Sequence, residues 1–464
     1  MSARAIAKSS LSTSLLRYKR SWGLWLLLLV APVGARFMIS DEDGKGIAIA
    51  IAIGDHLPIL TSPVLGVWLG IVVTTLLLPI GYIYLRSNTT RKQPWQVEEV
   101  TAGSRIAIMF GRFGADVAVL LAMLATLTVA GWFLGWLMVS GPLNLWQITY
   151  ALWIVAAPAL IGLAAIRIVF DAIPWLRRGL GDLCYFVLWM TSIVLPSAVD
   201  GQASSLATNM YDFPGFMRPL VGPAPSEGKD FGIGGIKVKP GRVSLDVNAG
   251  LNAEGYAASR VAWVGIAILL VVLAGAIYRP HAPPKRPTGQ GRIARLLSAG
   301  PPPPANINAM PATAAALPFL KLIIAEFRLI GAGRTFLILA GLAAASGLAA
   351  DYRHIGSPAV LLLLVFALSA HAGRSEARGL LALTGTAMFP PMARRIAFVV
   401  AGIAWSIVLA VPAAVIRTSP EPLGLAVATG AIATSIAIAL SSISRSAFAP
   451  RIVLLIMWYG YFSS

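Results

Sequence analysis

Residues 111–139, GRFGADVAVLLAMLATLTVAGWFLGWLMV, decide the fold class. The run carries two charges, Arg112 and Asp116, both near its start, and is uncharged from there to Val139. The hydrocarbon core of a bilayer, about 30 Å thick, is crossed by about 20 consecutive apolar residues in a helix. The run therefore reads as a transmembrane helix. Comparable runs stand at 22–39, 61–85, 146–168, 183–199, 261–278, 333–350, 357–372, 396–416, 423–442 and 451–463. The chain of 464 residues is 57% hydrophobic and 12% charged, with a mean hydropathy of +0.77. A soluble chain carries roughly twice that share of charge, about 25%. The expected fold is an all-α polytopic membrane protein with about eleven transmembrane helices.

The loops outside these runs set an orientation. Lys and Arg are retained on the cytoplasmic side of short loops. Loop 86–112 holds Arg86, Arg91, Lys92, Arg105 and Arg112, and loop 169–182 holds Arg177 and Arg178. Segment 279–332 is basic except for Glu326, and loop 373–395 holds Arg374, Arg378, Arg394 and Arg395. All of these share one side if the N-terminus is cytoplasmic. The other loops (40–60, 140–145, 200–259, 351–356, 417–422) are acidic, uncharged or mixed. The net charge of +18 is then mostly topology, and no recognition module supports a nucleic-acid partner. A bacterial inner membrane is the expected location. Val33-Gly34-Ala35 also fits a signal-peptide cleavage site, but residues 22–39 are read as a retained first span.

The chain reads as two halves: 1–280, then a basic, Pro/Ala-rich cytoplasmic linker at 281–316 with four consecutive prolines (Pro301 to Pro304), then 317–464. Short matches recur in the same order in each half. Asp55-His56 leads to Ser62-Pro63, and Asp351 with His354 leads to Ser357-Pro358. Residues 166–170 (IRIVF) match 444–448 (SRSAF), and Trp189 and Trp458 fall in the span that follows. Parallel repeats are a common way to build a transporter. The repeat predicts two pseudo-symmetric bundles, the first of six spans and the second of five. The counterpart of the sixth span is then dispensable, cut away, or supplied by another chain.

Few residues suggest chemistry in this chain itself. No Gly-x-x-x-x-Gly-Lys-Ser/Thr loop is present, so ATP is not expected to bind here in that manner. His56, His281, His354 and His371 lack metal-ligand spacing, and Cys184 sits in an apolar run. Asp116, one turn into its span, is expected to pair with Arg112. Asp41-Glu42-Asp43 opens an enzymatic alternative, a membrane glycosyltransferase using Asp41 and Asp43 at the outer face. A secondary transporter is a further alternative, although it lacks an obvious mid-membrane carboxylate.

Two basic-side loops carry a pattern. Residues 93–105 (QPWQVEEVTAGSR) lead to Gly111-Arg112-Phe113, and residues 375–384 (SEARGLLALT) lead to Arg394-Arg395. This arrangement resembles ABC-2-type exporter permeases, in which such a loop docks on a separate ATPase. The resemblance covers nearly the whole chain by architecture and loose patterns. It implies elbow helices at 9–21 and 317–331, and a large outside loop at 200–259. It assigns ATPase contacts to Glu98, Glu99, Arg105, Arg112, Glu376, Arg378, Arg394 and Arg395. It also implies a cytoplasmic ABC ATPase, two copies of it, as partner, with ATP and Mg held there and no cofactor in this chain. An additional membrane or periplasmic subunit is compatible with it. Pro390-Pro391 departs from the pattern, since it should shorten any helix in the second loop.

The outside loops should also form a small β-containing cap. Residues 236–239 and 242–247 alternate in character around Pro240-Gly241, which predicts a hairpin. Residues 46–53, with isoleucine at every second position from Ile47, are the candidate third strand.

Overall fold

The computed structural model describes residues 2–39, 50–53, 56–90, 103–176, 179–196, 202–222, 231–234, 239–278, 318–349, 351–374, 389–444 and 448–463. The chain divides into two compact units, Met1–Pro283 and Pro284–Ser464.

Unit 1 begins with α1 (Ala3–Lys19) and α2 (Trp22–Met38). Strands β1 (Ala50–Ile53) and β2 (His56–Pro58) follow. The next span is continuous but irregular: α3 (Ser62–Val72), a π-helical segment (Val73–Leu77) and α4 (Leu78–Thr90). Then come α5 (Arg105–Met138), α6 (Leu145–Ala172) and α7 (Gly179–Val194). Short helices α8 (Leu206–Met210) and α9 (Met217–Val221), strands β3 (Phe231–Gly234) and β4 (Lys239–Val243), and α10 (Val247–Leu251) lead to α11 (Tyr256–Ile277).

Unit 2 holds α12 (Pro318–Ile330), α13 (Arg334–Ala349), a π-helical segment (Tyr352–Gly356) continuing into α14 (Ser357–His371), α15 (Pro391–Arg417), α16 (Glu421–Ser444) and α17 (Phe448–Ser463). Helices therefore stand at all eleven apolar runs. Among the described residues, seven are long and apolar enough to cross a membrane: Ser62–Arg86, α5, α6, α11, Tyr352–His371, α15 and Glu421–Ile443. The chain is a multi-pass α-helical membrane protein. Helices α2, α7, α13 and α17 are shorter, with 17, 16, 16 and 16 residues. At about 1.5 Å per residue they fall short of a full crossing if straight and regular. Apolar side chains cover the surface, and Trp132, Phe133, Trp136 and Trp146 are exposed together around the α5–α6 corner. That is where aromatic residues anchor helices at a bilayer interface.

The two units share a packing scheme. In unit 1, α1 and α2 pack on α5, α3 packs on α6, α5 packs on α6, and α4 packs on α7. In unit 2, α12 and α13 pack on α15, α14 packs on α16, α15 packs on α16, and α14 packs on α17. These are the same five neighbours in the same chain order. Trp189 of α7 donates to the Thr74 carbonyl (2.9 Å), and Trp458 of α17 donates to the Pro358 carbonyl (2.8 Å). Each ties its unit's fifth apolar helix to its second. In unit 1 the acceptor has a local cause. Pro79 has no N–H, so a regular ladder cannot run through it. The helix widens over Val73–Leu77, and the Thr74 carbonyl turns to the indole instead.

The sheet corrects the predicted hairpin. Its order is β3-β1-β2-β4. Strand β1 is central, antiparallel to β3 with Ile51 opposite Ile233, and β4 runs parallel to β2. Pro240-Gly241 lies inside β4 and is not a turn between two strands. Gly241 takes φ +106, which glycine adopts without a Cβ clash, and β4 is an edge strand, where proline is tolerated. Of the expected third strand, residues 50–53 form β1, while 46–49 lie outside the described residues.

Candidate functional site

The expected partner-docking residues divide by location. Glu98, Glu99, Glu376 and Arg378 lie outside the described residues, as do Asp41 and Asp43. Arg105 is exposed at the first turn of α5, where Ser104 caps the helix by accepting from the Ala107 N–H (3.4 Å). Its guanidinium donates to the Tyr278 carbonyl (3.1 Å). Arg112 is placed differently from the expectation, being only 5% exposed, with its guanidinium over the Tyr278 ring. Arg394 and Arg395 are half-buried in the first turn of α15. Pro390 is the N-cap of that helix and Pro391 its first residue, positions that need no donated N–H.

The main polar site of unit 1 is a buried charge cluster where α1 meets α5 and α6. Helix α1 turns Ser10, Ser14 and Tyr18, spaced four apart, toward the bundle. A Cβ on Gly111 of α5 would stand 2.5 Å from the Ala7 carbonyl oxygen and 2.6 Å from Ser10 Cβ, so only glycine permits this approach. Ser10 Oγ donates to the Ile108 carbonyl (3.2 Å). At the end of the seam, Tyr18 donates to Asp116 Oδ1 (2.5 Å), and Arg167 of α6 donates to Asp116 Oδ2 (2.7 Å). Arg167 also meets Asp171, one turn on, at 3.0 Å. Asp116 and Arg167 are 1% and 2% exposed.

Asp116 is thus held between two other helices. The predicted partner, Arg112, lies one turn away on α5 itself, but the side chains that meet Asp116 come from α1 and α6. The sequence match at 166–170 had singled out Arg167 by position but not by role. Beside this cluster, Arg86 of α4 pairs with Asp182 of α7 (2.5 Å) and donates to the Leu176 carbonyl (2.9 Å). Tyr82 stacks on Tyr185 with centroids 3.7 Å apart. Five helices of unit 1 are therefore joined through polar contacts at the ends that carry the basic loops.

Unit 2 ties its own leading helix by different chemistry. Helices α12 and α13 meet at 85°, so α12 turns sharply away from the axis of α13. Trp405 of α15 stacks on Phe327 of α12 (centroids 4.4 Å apart) and donates to its carbonyl (2.8 Å). A Cβ on Gly331 would stand 2.1 Å from Trp405 Cζ2. Both Glu326 carboxylate oxygens accept from Arg374, at 3.0 and 3.1 Å. Each leading helix is thus clamped to its unit's third apolar helix by a glycine contact, with a polar bond into the bundle.

A second buried polar knot lies between α7 and α11. Asp212 accepts from the backbone N–H groups of Gly215 and Met217, both at 2.8 Å. Arg260 donates to the carbonyls of Phe213 (3.1 Å), Asn209 (3.1 Å) and Asp212. Arg218 donates to Asn209 Oδ1 (2.9 Å). Gly215, at φ +85, would place a Cβ 2.4 Å from Arg260 Nη1. The knot satisfies its own charges, as buried ionic groups must, and so has the character of a scaffold. On the surface of unit 2, Asp351 binds His354 and Arg417. The His354 hydrogen bond, and secondarily Arg417, hold its carboxyl below the usual aspartate range.

Among the described residues no group of His, Cys, Asp or Glu is arranged to hold a metal ion. No family model matches the chain, and neither curated proteins nor solved structures give a match.

Proposed function

We propose that this chain is the membrane-spanning permease of an ATP-driven exporter, powered by a separate cytoplasmic ATPase. One observation carries the reading: the five packings that recur in each unit, each with a leading helix clamped to the third apolar helix. Such a subunit has no bond to break. It must convert a partner's push on cytoplasmic loops into movement of helix bundles. A clamp of leading helix, third helix and ion pair, buried in unit 1 and partly buried in unit 2, makes each unit stiff where that push would arrive. The finer topology belongs to the same proposal: eleven crossings, an N-terminus in the cytoplasm of a bacterial inner membrane, and the β3-β1-β2-β4 sheet as an external cap. Glu98, Glu99, Arg105, Glu376, Arg378, Arg394 and Arg395 are then the partner-facing groups, while Arg112 acts from inside unit 1 by packing on Tyr278.

Reversing Glu98 and Glu99 together to lysine tests this. Co-purification of an ATPase and its nucleotide turnover should fall, while the permease stays folded. Unchanged ATPase binding and turnover would remove the docking assignment. The Asp41→Asn/Asp43→Asn variant separates the glycosyltransferase alternative, because an exporter retains activity and a glycosyltransferase loses it.

A further inference from the structure

We infer that the corner between α1 and α2 binds one anionic glycerophospholipid, its phosphate held by Arg17, Lys19 and Arg20 and its acyl chains lying along Trp25 and Leu29. The inference goes beyond the transport reading and does not need it. The last turn of α1 carries Arg17 and Lys19, Arg20 caps it, and Trp22 opens the apolar run of α2 two residues later. Cations and lipid-facing side chains thus meet at one bend of the chain. From Met1 to Ser40 the cations are Arg4, Lys8, Arg17, Lys19, Arg20 and Arg36, with no Asp or Glu among them.

Arg17 distinguishes this corner from an ordinary basic loop. Lys19 and Arg20 are exposed, as cations beside a membrane usually are. Arg17 is half-buried, its guanidinium carbon 5.8 Å from the Tyr18 ring centroid. Its Nε is buried and has no hydrogen-bond partner among the described residues. Asp116, the carboxylate nearby, is already taken by Tyr18 and Arg167. Burial lowers the Arg17 pKa, and the like charges of Arg167 and Arg112 lower it further. Arginine stays protonated even so, and a buried charge is costly unless it is paired. The corner therefore holds a cation in want of an anion. A phosphate suits it best, because two of its oxygens match the guanidinium fork.

The surface beside these cations points to a lipid as the source of that phosphate. Leu16 of α1 is exposed, as are Trp25 and Leu29, one turn apart on α2. Trp25 also donates to the Lys19 carbonyl (3.1 Å), which ties its ring to the end of α1. A headgroup on the cations would lay its chains on this strip, whereas a soluble phosphate would leave the strip unused. Clusters of Lys and Arg at the membrane end of a helix attract anionic lipid on the same grounds.

The test uses the full chain in nanodiscs of equimolar dioleoylphosphatidylglycerol and dioleoylphosphatidylcholine, with the photocrosslinker benzoylphenylalanine in place of Leu29. The two lipids share their acyl chains, so the ratio of crosslinked products, read by mass spectrometry, reports occupancy. Phosphatidylglycerol should exceed phosphatidylcholine by about fivefold or more, the gain that one cation brings near an anionic surface. Arg17→Gln should bring the ratio close to one. Lys19→Gln with Arg20→Gln, at exposed positions that folding does not need, should also lower it. Lys8→Gln, exposed nine residues before Arg17, should leave it unchanged. The crosslinker in place of Leu269, on the exposed surface of α11, should show no preference. A ratio near one in the parent chain, or one that Arg17→Gln leaves intact, would overturn the inference. A preference abolished by inorganic phosphate at constant ionic strength would assign the cations to a soluble ligand and overturn it too.

Discussion

Replacing Arg167 by methionine tests the clamp at its centre. The substitution keeps an unbranched chain in the same space but removes a buried cation that meets Asp116 at 2.7 Å and Asp171 at 3.0 Å. Asp116, 1% exposed, would keep the Tyr18 hydroxyl as its one hydrogen-bond donor among the described residues. Two magnitudes compete for the outcome. Polar contacts between membrane helices average about 0.6 kcal/mol, because the separated helices find other partners. Breaking one side of a buried ion pair costs about 3–5 kcal/mol, because the other charge is stranded. Here the stranded carboxylate is buried, so the larger figure applies. Unfolding of the purified chain in mixed micelles should shift by that amount. Adding Asp116→Leu to Arg167→Met should restore part of the loss, since Asp116 then leaves no stranded charge, while Asp171 still loses the Arg167 contact. A single variant as stable as the parent, or a double variant destabilised by the sum of its singles, would refute the reasoning.

Further outcomes follow from the same geometry. Gly111→Ala should force α1 off α5 and cost about 1–3 kcal/mol, the range for overpacking, read as faster proteolysis within residues 3–19. Gly331→Val should do the same to α12, its Cβ meeting Trp405; equal protease resistance would contradict the seam. Trp189→Phe and Trp458→Phe each remove one hydrogen bond and should each cost about 1 kcal/mol in micelle unfolding, with the two losses additive. The Asp351 carboxyl titrates below the usual range, so its contribution is present above that range and is lost as pH falls through its lowered value. Carbon-detected NMR should find Asp351 still ionised when ordinary aspartates are half protonated. His354→Ala should raise its midpoint, because that hydrogen bond is the largest cause of the shift.

Much of the architecture was legible because lipid imposes a simple rule. Runs of apolar residues such as 111–139 must be helices, since no other local structure satisfies its own backbone there. The repeat was legible in Ser62-Pro63 against Ser357-Pro358, which open corresponding helices of the two units, while Arg445, the match to Arg167, lies outside the described residues. The pairing of Asp116 was not legible. A helix offers a carboxylate its nearest neighbours at one turn, and only packing brings Arg167 and Tyr18 closer. The same holds for Arg260 and Asp212, whose partners are mostly backbone groups that composition does not reveal. The hairpin failed for a related reason. Alternation over 236–247 sets which faces are apolar, but β4 pairs with β2, which follows β1 after two residues and already lies beside it.

The central claim is that the work is done by ATP hydrolysed on another chain. The most direct measurement is nucleotide turnover in the full-length protein isolated by mild affinity purification from its own membranes. The account predicts an ATPase bound to the permease, with turnover that falls when Glu98 and Glu99 are reversed. It also predicts transport in vesicles that stops without ATP and continues with an uncoupler. A permease isolated without any ATPase, in vesicles whose transport collapses with the uncoupler alone, would contradict it.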